Sequence, residues 1–129
     1  MFTIDQIKDA HSKVKSGADF PSYIQDLIVL GVISYDTYVN DGHTDYFGLN
    51  DFTTSAPAKY KTVDIAETGA KSQFIFALKA HQNGQTDYPT FCKDCAKSGV
   101  YKWTVNLTKM TCTYFDIDGN ELLVEGIPS

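Results

Sequence analysis

The most constraining feature of the sequence is a similarity between its two halves. When residues 19–47 are written above residues 87–115, an offset of 68, seven of the 29 positions are identical. About two identities would be expected by chance at typical residue frequencies. The identical pairs are Asp19/Asp87, Pro21/Pro89, Asp26/Asp94, Gly31/Gly99, Val32/Val100, Tyr46/Tyr114 and Phe47/Phe115. We therefore predict a single domain, residues 1–129, that arose by internal duplication, with halves at about residues 1–68 and 69–129.

The hydrophobic periodicity predicts two helices and then strands in each half. Thr3 is predicted to cap a helix that runs to about residue 15, and Asp19 and Asp87 to cap helices that end at Gly31 and Gly99. The other predicted elements are a helix at residues 71–83, strands at residues 32–39, 43–47, 60–65, 100–107, 110–115 and 121–125, a loop at residues 55–58, and hairpin turns at residues 40–42 and 116–120. The predicted fold is α+β: an α-α-β-β-β unit that occurs twice, with an antiparallel sheet, helices on one face and a pseudo-twofold axis.

Charge and composition exclude several classes of partner. The net charge is −5, and all eleven cationic side chains are Lys. Because nucleic-acid recognition depends heavily on Arg, we expect no nucleic-acid partner. The longest apolar run, residues 27–32, is far below the ~20 residues that span a bilayer. We see no signal-peptide pattern in the first residues and only three cysteines, so we predict a cytoplasmic protein, monomeric or homodimeric, that does not bind membranes.

The three cysteines allow a chemical and a structural interpretation. A redox Cys-x-x-Cys pair belongs at the very start of a helix, whereas Cys92 lies five residues after the predicted cap. Cys92 and Cys95 align with Ile24 and Leu27 of the first half, which favours thiols in the core. Zinc would need Cys112 and His81 as further ligands, without a second spacing motif to support it, so we expect no metal and no cofactor.

Two histidines and two pairs of aspartates occupy equivalent places in the halves. His11 and His81 each follow an alanine on the apolar stripe of a predicted helix. They serve either as structural hydrogen-bonding groups or as a general base. A catalytic alternative takes Cys92 as nucleophile and His81 as base, with Gln85 or backbone amides after the second helix cap as oxyanion donors. Asp19 and Asp87 are explained by capping, whereas the match between Asp26 and Asp94, both on outward helix faces, has no structural explanation at this level.

Several segments together resemble a known family. They are residues 11–21 (HSKVKSGADFP) and 81–92 (HQNGQTDYPTFC), with Gly31-Val32, Tyr35, Tyr38, Gly99-Val100, Lys102-Trp103, residues 110–112 and Tyr114. The pattern, over nearly the whole chain, resembles an uncharacterised bacterial domain of unknown function with prophage-encoded members, some labelled phage envelope protein. The resemblance implies no activity, cofactor or catalytic residue. It singles out the second segment, whose polar side chains, with His11, are the candidate ligand-binding residues: Gln82, Gln85, Asp87, Tyr88 and Thr90.

The function that these observations favour is a small binding or interaction domain for a small-molecule or protein partner. The catalytic alternative requires a Cys92 thiol that is reachable and partly ionised near neutral pH. The family resemblance adds a role as an interaction partner in phage biology. An interaction domain is expected to expose an apolar patch, here around Tyr38, Phe47 and Phe52.

Overall fold

The computed structural model describes residues 2–15 and 19–127. Within them, helices and strands follow the order helix, helix, strand, strand, strand, and this order then occurs a second time. The elements are α1 (Ile4–His11), α2 (Phe20–Leu30), β1 (Val32–Tyr38), β2 (Thr44–Gly48), β3 (Thr53–Ala56), α3 (Lys71–Gln82), α4 (Tyr88–Lys97), β4 (Lys102–Asn106), β5 (Thr111–Phe115) and β6 (Glu121–Gly126).

The six strands form one antiparallel sheet in the order β3-β2-β1-β4-β5-β6. Each half contributes a three-stranded meander, and the first strand of each meander meets the other at the centre. In that central pairing Asp36 of β1 lies opposite Thr104 of β4. The Thr104 hydroxyl donates a 2.6 Å hydrogen bond to Asp36 Oδ1. The prediction of an α+β fold with an antiparallel sheet is confirmed.

The helices cover one face of this sheet. Trp103 and Tyr114 are cross-strand partners, so their side chains share a face. The ring of Phe74 in α3 lies 4.7 Å from that of Tyr114, and the ring of Phe91 in α4 lies 5.8 Å from that of Trp103. In the first half Ile24 of α2 is fully buried against β1 and its neighbours. Strand residues therefore alternate between a buried face and a face turned away from the helices.

The helix ends largely follow the predicted capping pattern. Thr3 and Gln6 form the capping box of α1, and Asp87 accepts a 2.9 Å hydrogen bond from the Thr90 N–H at the start of α4. Asp19 stands at the N-cap of α2, but its carboxylate accepts a hydrogen bond from the Lys15 N–H instead of a side-chain capping bond. The first helix also ends at His11 rather than near residue 15, because its last turn is closed by the backbone at Ser12.

The predicted position of the third strand is wrong. Residues 60–65 lie outside the sheet, and residues 53–56, partly assigned to a loop, form β3. The reason is a tight turn in which Asn50 and Asp51 both have positive φ, 58° and 61°, so the chain reverses at once after Gly48. The returning segment, Thr-Thr-Ser-Ala, is a polar edge strand without the apolar alternation that marks a buried one.

The displaced segment, residues 57–70, instead connects the two halves on the helix side. Near its start the Val63 N–H donates a 2.7 Å hydrogen bond to the Asn40 carbonyl in the β1–β2 turn. Further on, the Ala66 N–H donates a 2.9 Å hydrogen bond to the Ala96 carbonyl at the end of α4. The connection is therefore anchored to both halves by its own backbone.

Gly99 gives a test of how closely this connection packs. Its φ is +82°, and a Cβ there would lie 2.6 Å from the Thr68 carbonyl oxygen. Gly84 has a similar φ, +76°, but open space around it. Gly84→Ala should therefore lower the free energy of unfolding only by the cost of the left-handed backbone conformation, about 1–2 kcal/mol. Gly99→Ala should lower it by a further ~1–3 kcal/mol because the added Cβ overpacks the site. Urea denaturation measures both free energies, and equal losses would contradict the close packing of the connection.

Candidate functional site

The Cys92 thiol lies in the core, on the buried side of α4. Only 2% of the residue is exposed, and Cys95 and Cys112 are also buried and unpaired. Burial raises the pKa of the Cys92 thiol, against the opposing effect of hydrogen bonds with the hydroxyl groups of Tyr60 and Tyr88 and of the Lys59 charge. Burial likewise raises the pKa of Cys112, to about 12. These are the properties that the interpretation as core thiols predicts.

His81 has different neighbours from Cys92. Its ring stacks on that of Phe91 at 4.4 Å, and its Nδ1 lies 3.1 Å from the Thr86 carbonyl oxygen, which accepts its hydrogen bond. The hydroxyl of Thr86 is 3.4 Å from the same nitrogen. The hydrogen bonds of His81 thus hold the turn between α3 and α4, and those of Cys92 go to tyrosines. The structure gives the two side chains no shared contact within the described residues.

Four of the predicted ligand-binding residues, Gln82, Gln85, Asp87 and Thr90, lie in or beside this turn. Gln82, Gln85 and Thr90 are exposed, and the Gln82 amide reaches Glu125 at 3.4 Å. Asp87 is used as the helix cap, which holds the pKa of its carboxyl below its usual value through hydrogen bonds from Thr90. Two shallow grooves, of about 190 and 330 Å³, lie beside α2, away from the turn.

The charge of Lys59 acts on both Tyr88 and His11, which belong to different halves. The half-buried Tyr88 has the Lys59 ammonium 5.3 Å above its ring. His11 is exposed rather than buried on an apolar stripe, and its ring lies edge-on to Tyr23 at 5.3 Å. Partial burial, and then the charge of Lys59, lower the pKa of His11. The structure therefore brings Cys92, Tyr88, Tyr60 and Lys59 together, and the charge of Lys59 also acts on His11.

The opposite face of the sheet, which we call the open face, has a different character. It consists of the strand side chains that point away from the helices, and its central row crosses all six strands. In order from β3 to β6, that row is Ser55, Asp45, Asp36, Thr104, Thr113 and Val124. Val124 is 52% exposed and the Asp45 side chain is 32% exposed, so the row is accessible to solvent.

Two carboxylates stand directly opposite each other in the middle of this row. Asp36 and Asp45 are cross-strand partners on β1 and β2. Each is oriented by a neighbouring hydroxyl: Thr104 donates to Asp36 Oδ1 at 2.6 Å, and Ser55 donates to Asp45 Oδ1 at 2.7 Å. Like charges that face each other across a strand pair are destabilising. The sheet therefore keeps an unfavourable pair across β1 and β2.

The row beside it is formed by aromatic rings and one cation. His43, in the β1–β2 turn, stacks on Tyr38 at 4.4 Å with only 6° between the ring planes. The His43 Nδ1 lies 2.5 Å from Asp41 Oδ1, which fixes the ring. The Lys102 ammonium lies 5.7 Å from the Tyr38 centroid and 5.3 Å from the Phe115 centroid. The rings are therefore ordered by contacts on both sides.

Sequence reasoning identified this face only in part. Tyr38 and Phe47 of the expected apolar patch are on the open face, but Phe52 packs against buried Phe2, with 4.9 Å between ring centroids. Asp36 and Asp45 were missed. The available signal was their outward position in alternating strands, but their juxtaposition depends on the register of the hairpin.

No group of three or more His, Cys, Asp or Glu side chains in residues 2–15 and 19–127 is arranged to hold a metal ion. Across the same residues, every helix is too short or too polar to cross a membrane.

Comparison with known proteins places the chain in a family. The sequence model described as "Protein of unknown function (DUF1398)" matches residues 8–126. The chain belongs to this family. This DUF1398 domain is also similar to uncharacterized proteins of Mycobacterium bovis and of two Mycobacterium tuberculosis strains, CDC 1551 and H37Rv. Each is 36% identical over 55 residues, which cover 41% of this chain and 34% of the mycobacterial protein. The match therefore spans about a third of the length of these relatives.

The carboxylate pair makes a prediction about stability. Asp45→Asn removes the repulsion from Asp36 and retains an oxygen that accepts from Ser55. It should raise the free energy of unfolding at pH 7 by about 0.5 kcal/mol. Asp26→Asn on α2 is the matched control, with little change expected. A loss of stability in Asp45→Asn, measured by urea denaturation, would show that Asp45 is held by a net favourable interaction.

Proposed function

We propose that this protein is a small binding domain that engages its partner through the open face of the sheet. The observation that carries the proposal is the ordered row of rings on that face. The parallel ring of His43 packs against Tyr38, so the orientation of the Tyr38 ring is fixed before a partner arrives. Aromatic side chains that are ordered in advance lose little conformational entropy on binding.

The internal duplication is part of this proposal, and the register of the central strands supports it. Asp36 faces Thr104, the residue that the offset of 68 makes its equivalent. One step away on either side, Tyr35 faces Val105 and Thr37 faces Trp103, and these pairs exchange under the same offset. We infer that a pseudo-twofold axis passes through the Asp36–Thr104 pair and relates residues 1–68 to residues 69–129.

The setting that we propose is the bacterial cytoplasm, in a phage-related role. The three unpaired thiols support a reducing compartment, and the resemblance to a family with prophage-encoded members supports the role. The partner is a small molecule or a protein rather than a nucleic acid, because the chain carries a net charge of −5. The protein acts as a monomer or homodimer.

A thiol enzyme is the second candidate, favoured by the groups that converge on Cys92. The hydroxyls of Tyr60 and Tyr88 and the Lys59 charge all stabilise its thiolate. His81 would serve as base only after a rearrangement that frees it from Thr86 and Phe91. The raised pKa of the thiol favours the binding domain over this candidate.

Alkylation of the native protein separates the two candidates. We expect Cys92, Cys95 and Cys112 to react with iodoacetamide only slowly between pH 5 and 9, because burial keeps all three thiols inaccessible and neutral. Peptide mapping by mass spectrometry reports each residue, and the same reaction in urea is the control that all three can be labelled. Fast labelling of Cys92 alone, with an apparent pKa below ~8.5, would support the enzyme instead.

The binding surface itself is tested by NMR. Isotopically labelled protein is titrated with an arginine-glycine octapeptide, a glutamate-glycine octapeptide and a neutral glucose hexasaccharide. We expect amide shifts for at least one probe to concentrate on β1, β2, β4 and β5, with Phe76 of α3, which is 79% exposed, as an unaffected reference. Shifts centred on residues 81–92, or no shift on the strands with any probe, would refute the open face as the binding surface.

A further inference from the structure

We propose that the open face binds arginine side chains of a basic peptide segment, with Asp36 and Asp45 as the centre of recognition. This inference rests on the proposed function and names the chemistry of its partner. It is carried by the juxtaposition of the paired carboxylates with the Tyr38–His43 stack, together with the charge of the whole chain.

The carboxylates are arranged to receive a forked donor. Thr104 and Ser55 each occupy the Oδ1 atom of one aspartate, which leaves both Oδ2 atoms for a partner. The His43 Nε2 atom lies 4.0 Å from Asp45 Oδ2, beyond hydrogen-bond distance. A guanidinium presents several N–H groups in one plane and binds carboxylates in pairs of hydrogen bonds. A guanidinium that bridges Asp36 and Asp45 also removes the repulsion between them.

The adjacent stack supplies the second half of the recognition. Guanidinium groups pack on aromatic faces, and Tyr38 lies two residues from Asp36 on β1. His43 stacks on the Tyr38 ring and the Lys102 ammonium lies over it, so an incoming guanidinium takes the place of Lys102. The pKa of the Tyr38 hydroxyl is raised, first by partial burial and then by the charges of Asp36 and Asp45. The ring and the two carboxylates therefore share one electrostatic environment.

Charge complementarity identifies where the cation comes from. The chain has a net charge of −5 and carries no Arg. The cation that it does place on this face, Lys102, lies over the rings of Tyr38 and Phe115. Lys102 shows that these rings accept a cation, and it leaves the outer oxygens of the carboxylates to an incoming group. The guanidinium must then be supplied by a partner.

Arginine fits this surface better than a metal ion does. The carboxylates have only hydroxyls beside them in the central row, and the described residues contain no cluster of three metal-ligating side chains. A divalent cation in proteins takes six or more oxygen ligands in a compact arrangement. A flat surface with two carboxylates and an aromatic ring suits a planar cation.

The experiment measures binding of fluorescent octapeptides to the full chain by anisotropy at low ionic strength. The probes are alternating arginine-glycine, lysine-glycine and glutamate-glycine peptides. We expect the arginine peptide to bind more tightly than the lysine peptide, and the glutamate peptide not to bind. Added salt should weaken binding of the arginine peptide, because the contacts are charged and exposed.

Isosteric variants locate the contact. Asp36→Asn and Asp45→Asn keep the oxygens that accept from Thr104 and Ser55. The double variant should bind the arginine peptide about tenfold more weakly than the wild type. Asp26→Asn removes the same charge from the helix layer and should leave the affinity within about twofold. Lys102→Gln should increase the affinity, because it removes a competing positive charge from the rings. The expected gain in affinity of Lys102→Gln tests the proposal even if an Asn variant folds poorly.

The outcomes separate this inference from the proposed function. Equal weakening by Asp26→Asn, equal binding of the lysine peptide, or weaker binding by Lys102→Gln would each overturn arginine recognition at Asp36 and Asp45. If the glutamate peptide or the glucose hexasaccharide shifts the open-face amides while the arginine peptide does not, the proposed function stands and this inference falls. If the arginine peptide shifts amides away from the open face and neither other probe shifts the open-face amides, both fall.

Discussion

The pairing of β1 with β4 is the interaction on which the rest of the structure depends. Each half alone is a three-stranded meander with two helices, and the central pair joins the two meanders into one six-stranded sheet. Backbone pairing sets the distance between the halves, and the bond between Thr104 and Asp36 adds a side-chain contact on the open face. The same register aligns Tyr35 and Trp103 on the buried side. One strand pair thus determines which residues meet on both faces of the sheet.

The two faces of the sheet carry groups of different chemistry in different environments. On the helix side, burial keeps the thiols neutral and the tyrosine hydroxyls protonated: the pKa of Cys95 and the pKa of Tyr35 are both raised chiefly by burial. These thiols and tyrosines pack in the core, where their polar groups form hydrogen bonds with one another. On the open face the aspartates remain in contact with water, where ionised carboxylates are stable without a buried partner. The thiols, which the sequence marks as candidate nucleophiles, are therefore buried and neutral. The aspartates of the open face, which the sequence does not mark, are accessible to solvent.

The sequence predicts the elements that are marked by local chemistry. Asp87 and Pro89 define the start of α4, and the alternation in residues 32–39 defines the buried side of β1, because both signals depend on neighbours in the chain. Strand β3 was misplaced because its stability comes from pairing with β2 rather than from its own apolar residues. The Asp36–Asp45 pair was missed for the same reason: opposition across a hairpin is a property of register, which two isolated strand patterns do not specify. Cys92 was correctly weighed toward the core because its counterpart in the first half is Ile24.

The segment that links the halves has a structural consequence. Its backbone holds the β1–β2 turn at Asn40 and the end of α4 at Ala96, and that turn carries His43 while α4 carries Cys92. The turn and the helix layer are therefore joined by a short, hydrogen-bonded stretch of chain that does not run through the sheet. The aromatic stack on one face and the helix that carries Cys92 on the other therefore share one backbone connection, although the sheet lies between them.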